Sequence, residues 1–154
     1  MMDELEATAL QLFEGLRAEF PGLRIEIDPN DPNVEISVEI PQQPGLDFRV
    51  HLDFQNTDEL HLCAGDVFLC SWFPSSDPEV LNRYRDAVLG VVSGQYRIVE
   101  YWRWGRGVGA DLQAPGPAGW RRVARSRLGL LAALPLRWGT AERVIQNRAP
   151  SNNE

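Results

Sequence analysis

Three segments between residues 23 and 55 alternate strictly between apolar and polar side chains, and this alternation constrains the fold more than any other feature. A period of two is typical of a strand that buries one face and exposes the other to water. The apolar positions are Leu23, Ile25 and Ile27, then Val34, Ile36, Val38 and Ile40, then Phe48, Val50, Leu52 and Phe54. Turn-forming residues separate the segments, which predicts an antiparallel sheet with one open face.

An amphipathic helix is predicted on each side of this group of strands. Residues 3–20 carry apolar side chains at three- and four-residue spacing, begin with acids and stop at Pro21-Gly22. The second helix follows a capping-box pattern that starts at Ser76 and includes Glu79, and it ends at Ser93-Gly94. We expect the first helix to cover the apolar face of the sheet.

The rest of the chain indicates further strands. Residues 60–64 and 67–73 flank Gly65-Asp66, and the second segment is so apolar that burial on both faces is expected. Later strands are predicted at 96–104, 108–113 and 120–127, with a loop at 114–119, an ambiguous apolar stretch at 128–134 and a short helix or last strand at 140–148. We therefore expect an α+β fold: a single domain over residues 1–148, with an antiparallel or mixed sheet of about seven to eight strands and a loose tail at 149–154.

Charge is divided unevenly along the 154 residues, whose net charge is -7. Residues 1–94 contain five Arg and 18 acids, whereas residues 95–148 contain ten Arg and three acids. Either the two halves neutralise each other within one fold, or one half presents a charged surface to a partner. All 15 basic residues are Arg, and with frequent Ala, Gly, Pro and Leu this suggests a bacterial protein.

The sequence carries no membrane or secretion signal, so we expect a cytoplasmic protein. Its longest apolar run, residues 128–136, is shorter than the roughly 20 residues that span a bilayer, and its N-terminus is acidic. Cys63 and Cys70 fit a reducing compartment. A two-residue turn between them would make them diagonal neighbours beyond usual disulfide reach, whereas a three-residue turn would place them on opposite faces.

The polar face of the first three strands is strongly acidic. Only Arg24 and Arg49 offset its acids, which are Glu26, Asp28, Glu35, Glu39, Asp47 and Asp53. Such a face steers association with a basic partner. We therefore predict that these six residues bind a protein partner.

A patch containing both histidines is the second candidate site. If residues 48–54 and 60–64 form a hairpin, their apolar sets share a face only with a three-residue loop, which places Asp53 opposite His61 and His51 opposite Cys63. These residue types bind zinc or form a Cys–His nucleophile with an Asp orienter. The alternative is a favourable His–Asp pair beside an incidental thiol. Because no metal-binding spacing is present, no cofactor is predicted.

Two patterns in the basic half suggest phosphate or nucleic-acid binding. Gly105-Arg106-Gly107-Val108-Gly109 resembles part of a phosphate loop, but a strand follows it, so a hairpin turn is favoured. Arg residues interleave with Tyr101, Trp102, Trp104 and Trp120, as in surfaces that stack bases. The acidic net charge and the absence of a nucleic-acid motif argue against this interpretation.

These observations favour a non-enzymatic protein-binding module over a catalyst. The most concrete hypothesis is an immunity protein that neutralises a basic, nuclease-like bacterial toxin through the acidic face. A first alternative is a chaperone for a secreted effector, because the order of helices and strands resembles that of type III secretion chaperones, which are also small and acidic. The remaining alternatives are nucleic-acid binding and an enzyme that uses His51, His61, Cys63 and Asp53.

Overall fold

The computed structural model describes residues 1–129 and 139–148, and within them it shows two helices and nine strands in two antiparallel sheets. In chain order the elements are α1 (Glu4–Glu19), β1 (Glu26–Asp28), β2 (Ile36–Ile40), β3 (Val50–Gln55), β4 (Glu59–Ala64), β5 (Phe68–Trp72), α2 (Pro78–Ser93), β6 (Arg97–Arg103), β7 (Arg106–Gly116), β8 (Gly119–Arg127) and β9 (Ala141–Ile145). The α+β class and both helices are confirmed, but the strands form two sheets where a single sheet was expected. Alternation reports which face of a strand is buried and not which strand lies beside it.

The first sheet is a meander in the order β1-β2-β3-β4-β5, and both helices pack on its apolar face. From α1, Phe13 and Leu16 enter the core, and the Phe13 ring meets the edge of the Tyr84 ring of α2 at a centroid distance of 6.5 Å. Each large apolar side chain buried in this way contributes roughly 1.5–3 kcal/mol to stability. Because the helices cover one face, the polar face stays open.

The helix ends agree with the sequence patterns except at the start of α2. The Asp3 side chain and Glu6 form a capping box at α1. At α2 the N-cap is Asp77 and not Ser76: its carboxylate accepts a hydrogen bond of 2.9 Å from the Glu79 amide. Pro78 at the first helical position explains the shift, since it lacks an N–H and its φ suits a helix start.

The second sheet has the order β8-β7-β6-β9, and its inner face shares the core of the first. Gly107 of β7 allows this approach, because a Cβ there would lie 2.5 Å from Cγ2 of Val67. Asn147 fixes the end of the sheet: its Nδ2 donates to the Val91 carbonyl at 3.1 Å, and its Oδ1 accepts from the Asp47 amide at 2.8 Å. The two sheets and α2 therefore meet at one junction.

Three expectations about the strands need correction or completion. β5 is an edge strand of the first sheet with an open outer face, so Leu69 is 44% exposed instead of being buried. The predicted loop at 114–119 is a tight turn between Gly116 and Gly119. Residues 140–148 contain strand β9 and not a helix. Residues 130–134 and the tail at 149–154 lie outside the described residues.

Candidate functional site on the open face of the first sheet

The register of the central hairpin brings the predicted histidine patch together. A three-residue turn at 56–58 joins β3 to β4, and it places His51 opposite Cys63 and Asp53 opposite His61. This register was predicted from the rule that both apolar sets share one face, and it is confirmed. The patch lies at the centre of the open face.

Carboxylates and imidazoles alternate across this part of the face. His51 Nδ1 lies 2.5 Å from Glu39 Oε1, and His51 Nε2 lies 3.3 Å from Asp53 Oδ2. His61 Nδ1 is 3.7 Å from Asp53 Oδ1, while its Nε2 is 3.0 Å from Glu59 Oε2. The five groups therefore form one row across β2, β3 and β4, in which each histidine lies between two acids.

This row changes the proton affinity of its members. The hydrogen bond with Asp53 raises the pKa of His51, burial opposes this, and the contact with Glu39 adds to the increase, so the net pKa lies above the ordinary value. The hydrogen bond with His61 lowers the pKa of the partly exposed Glu59 carboxyl. Both shifts favour the charged forms of the row.

Cys63 lacks the properties of a catalytic thiol. Burial, with a smaller contribution from the Asp53 charge, raises its pKa to about 11. A nucleophilic cysteine needs the opposite shift, because the thiolate is the reactive form. Among residues 1–129 and 139–148, no group of three His, Cys, Asp or Glu side chains could hold a metal ion. The geometry therefore favours neither a Cys–His nucleophile nor a zinc site.

The two cysteines lie on opposite faces of the sheet. Ala64 pairs with Phe68, so the turn between β4 and β5 has three residues, and Cys63 pairs with Leu69 while Cys70 pairs with Leu62. Cys63 shares the open face with the histidines, whereas Cys70 packs against the core. A disulfide between them is excluded because their side chains point apart.

The structure places five of the six predicted acids at the surface. Glu26, Asp28 and Asp47 are exposed, and Glu35 and Glu39 are partly exposed. Asp53 departs from the expectation that it points into water, since it is only 6% exposed. The reason is its position in a central strand, where His51 and His61 lie on either side of its carboxylate. We define the remaining five acids as the acidic face.

Arg125 and Arg97 of the Arg-rich half have partners within that half. On the outer face of the second sheet, Arg125 binds both oxygens of Asp111 at 2.5 and 2.8 Å, and the Tyr101 hydroxyl donates to the same carboxylate at 2.9 Å. The Arg97 guanidinium lies 4.4 Å from the centre of the Trp120 ring. One ring face of Trp120 is thus occupied, which weakens the case for base stacking.

Sequence reasoning did not single out Glu100, which lies where the two sheets meet. It is only 1% exposed, and its Oε1 accepts a hydrogen bond of 3.4 Å from Trp102 Nε1. The available signal was its position: it is the one acid in β6, and it shares a strand face with Ile98 and Trp102. An acid on the buried face of an Arg- and aromatic-rich strand is a candidate functional group.

No protein-family model, curated protein or solved structure matches this chain. In the described part of the chain, neither helix combines the length and apolar character needed to cross a membrane.

Proposed function

We propose that this protein is a binding module for a basic protein partner and that it uses the acidic face. The observation that carries the proposal is the exposure of Glu26, Asp28 and Asp47 beside the partly exposed Glu35 and Glu39. Arg24 approaches Glu26 at 3.5 Å, but both side chains are 68% exposed, so this pair is strongly screened by water. The face retains a negative field that would speed association with a positively charged surface.

The position of the acidic face on a well-packed sheet supports its proposed role in partner binding. Glu26, Asp28 and Glu39 lie on strands of a sheet that α1 and α2 hold from behind with the apolar side chains of the core. A partner would therefore meet charges carried on a packed backbone, and little ordering of the chain would be required on binding. Glu35 Oε1 also accepts a hydrogen bond of 3.1 Å from the Thr57 amide, which ties the β3–β4 turn to this face.

The most specific form of the proposal is an immunity protein in the bacterial cytoplasm that blocks a nuclease-like toxin. A nuclease holds the phosphates of its substrate with basic residues, and a row of fixed carboxylates can occupy the same surface. An enzymatic role has less support, because the raised pKa of Cys63 keeps its thiol protonated.

The test compares two variants that make the same change in charge on different surfaces. Glu26→Lys with Asp28→Lys reverses two exposed acids of the open face, and Lys at this edge strand still discourages edge-to-edge pairing. Glu14→Lys with Asp86→Lys is the matched control, since both residues are exposed on the helices that cover the other side. The partner probe is the purified product of the adjacent gene.

We expect the face variant to slow association by about tenfold or more and to remove most of the salt dependence, while the control remains close to wild type. Association rates would be measured by interferometry at two salt concentrations. Equal effects of the two variants, or no binding of the adjacent gene product, would contradict the proposal. If that product is a secreted effector and not a toxin, the chaperone alternative is favoured.

A further inference from the structure

The acidic face leads into a cleft of about 690 Å³ between the two sheets. Glu39 and Asp47 belong to the acidic face and also line this cleft. Its other charged lining residues are Arg49, Asp66, Glu100 and Arg143. Four acids against two Arg make the cleft negative, and its volume lies within the usual range of about 300–1,000 Å³ for ligand sites.

A buried carboxylate oxygen without a partner distinguishes this cleft from an ordinary acidic surface. Among the described residues, Oε2 of Glu100 has no hydrogen-bond partner, although the side chain is only 1% exposed. It faces Gly65 of the β4–β5 turn, where an added Cβ would lie only 3.3 Å from Oε2. The same Cβ would lie 2.6 Å from Cδ1 of Ile145, and Gly65, Ile145 and Glu100 all line the cleft, so the unpaired oxygen belongs to a closely packed part of the cleft wall.

The ion pair of Glu100 with Arg143 leaves this oxygen without a hydrogen bond. Arg143 lies opposite Glu100 in the β6–β9 register, yet its Nε is 3.9 Å from Oε1 and its side chain is 62% exposed. This distance exceeds that of a charge-assisted hydrogen bond, which is about 2.7–2.9 Å. A buried carboxylate left in this state is unfavourable, so a cationic donor entering the cleft would be stabilised there.

We propose that the cleft binds the guanidinium group of an arginine side chain, with Glu100 as its buried acceptor. The proposal rests on the proposed function, since the basic partner would supply this arginine when it docks on the acidic face. Phe48 lines the same cleft, and a planar guanidinium stacks on aromatic rings and is less strongly hydrated than a lysine ammonium. A guanidinium can also donate two parallel N–H hydrogen bonds to the two oxygens of a carboxylate.

The test uses N-acetyl-arginine amide as the probe and N-acetyl-citrulline amide as its neutral match. Binding is followed by NMR, in which the indole N–H of Trp102 reports on Glu100 because it donates to Oε1. The Gly65 amide reports on the part of the cleft wall that the β4–β5 turn contributes. We expect the arginine compound to produce saturable shifts at both positions and the citrulline compound to bind at least about tenfold more weakly.

Glu100→Gln preserves the shape of the side chain and removes its charge. We expect it to weaken binding of the arginine compound by about tenfold or more. Glu142→Gln is the control, because Glu142 is exposed on the neighbouring strand β9 and lines a groove on the other face of the sheet. Equal binding of the two compounds, equal binding by wild type and the Glu100→Gln variant, or no saturable shift would overturn the proposal. The comparison of the arginine and citrulline compounds needs no variant, so it tests guanidinium binding in the cleft even if Glu100→Gln fails to fold.

The partner assay separates the two sources of the guanidinium group and the two proposals. If Glu100→Gln weakens binding of the adjacent gene product as well, the arginine comes from the partner. If partner binding depends on Glu26 and Asp28 but not on Glu100, the proposed function stands and the assignment of a partner arginine to the cleft fails. If the arginine compound binds the cleft while no partner binds the acidic face, the proposed function fails and the cleft is a site for a free guanidinium compound.

Discussion

His51 and Asp53, two residues apart on β3, are in contact on the open face, with Nε2 of His51 3.3 Å from Oδ2 of Asp53. Side chains at such positions lie on the same face of a strand, and here a buried carboxylate meets a partly exposed imidazole. Together with Glu39, Asp53 raises the pKa of His51, so the folded protein binds a proton there more tightly than the unfolded chain.

A pH dependence of stability follows from this pair. Because the pKa of His51 is raised, its contribution is fully present below the unfolded value of about 6.5 and is lost as pH rises through the folded pKa. We expect the free energy of unfolding to decrease across this interval by on the order of 1 kcal/mol or less, since the His51 side chain is 26% exposed. Urea unfolding at several pH values measures it, and His51→Gln should lack this decrease.

The thiol of Cys63 is expected to react slowly. Its pKa of about 11 lies two pH units above the ordinary 9.0, so near pH 8 the thiolate fraction is about a hundredfold smaller than in an unfolded chain. A Cys70→Ser variant isolates Cys63, and a disulfide reagent followed by absorbance gives the rate before and after unfolding. Equal rates in the two states would restore Cys63 as a candidate nucleophile.

Two glycines in helices should respond oppositely to replacement by alanine. Gly15→Ala in α1 should stabilise the protein by about 1 kcal/mol, because alanine favours helix and, apart from the adjoining residues and backbone of α1 itself, no atom lies within 4 Å of the new Cβ. Gly90→Ala in α2 gains the same propensity, but its Cβ would lie 2.3 Å from the Tyr96 ring. We expect a net loss of about 1–3 kcal/mol from this overlap.

Thermal and urea unfolding of the two alanine variants measure the difference. Gly15→Ala serves as the control for helix propensity, because it makes the same chemical change in an open position. A stabilising Gly90→Ala would show that Tyr96 leaves its place against α2 without loss.

The Asp111–Arg125 pair is expected to stabilise the second sheet. Burial raises the pKa of Asp111, but the hydrogen bonds from Arg125 and Tyr101 outweigh this, and the net pKa is lowered. Its contribution is therefore complete above the unfolded value of about 3.9 and is lost as pH falls through the folded pKa. Asp111→Asn should reduce the free energy of unfolding by about 2 kcal/mol at pH 7, a value discounted because Arg125 is 31% exposed.

Unfolding curves at pH 7 and below pH 4 test this pair. We expect the difference between wild type and Asp111→Asn to shrink at the lower pH. A difference that is independent of pH would assign the loss to altered packing and not to the carboxylate charge.

Local rules were sufficient to predict the β3–β4 hairpin, including the opposition of His51 to Cys63. Two apolar sets had to share one face, and only a three-residue turn gave that parity. Helix α1 was predictable for a similar reason, because its apolar spacing and the acid at Asp3 act within one or two turns.

The division into two sheets and the cleft between them depend on the tertiary structure. Glu100, Gly65 and Arg143 are far apart in the chain and meet only because β9 pairs with β6 while the β4–β5 turn packs against that sheet. Alternation predicts which face of a strand is apolar, but it contains no information about which distant backbone covers an acid on that face. Asp53 shows the same limit: its polar position was evident from the sequence, whereas its burial depends on the neighbours that the packed sheet places around it.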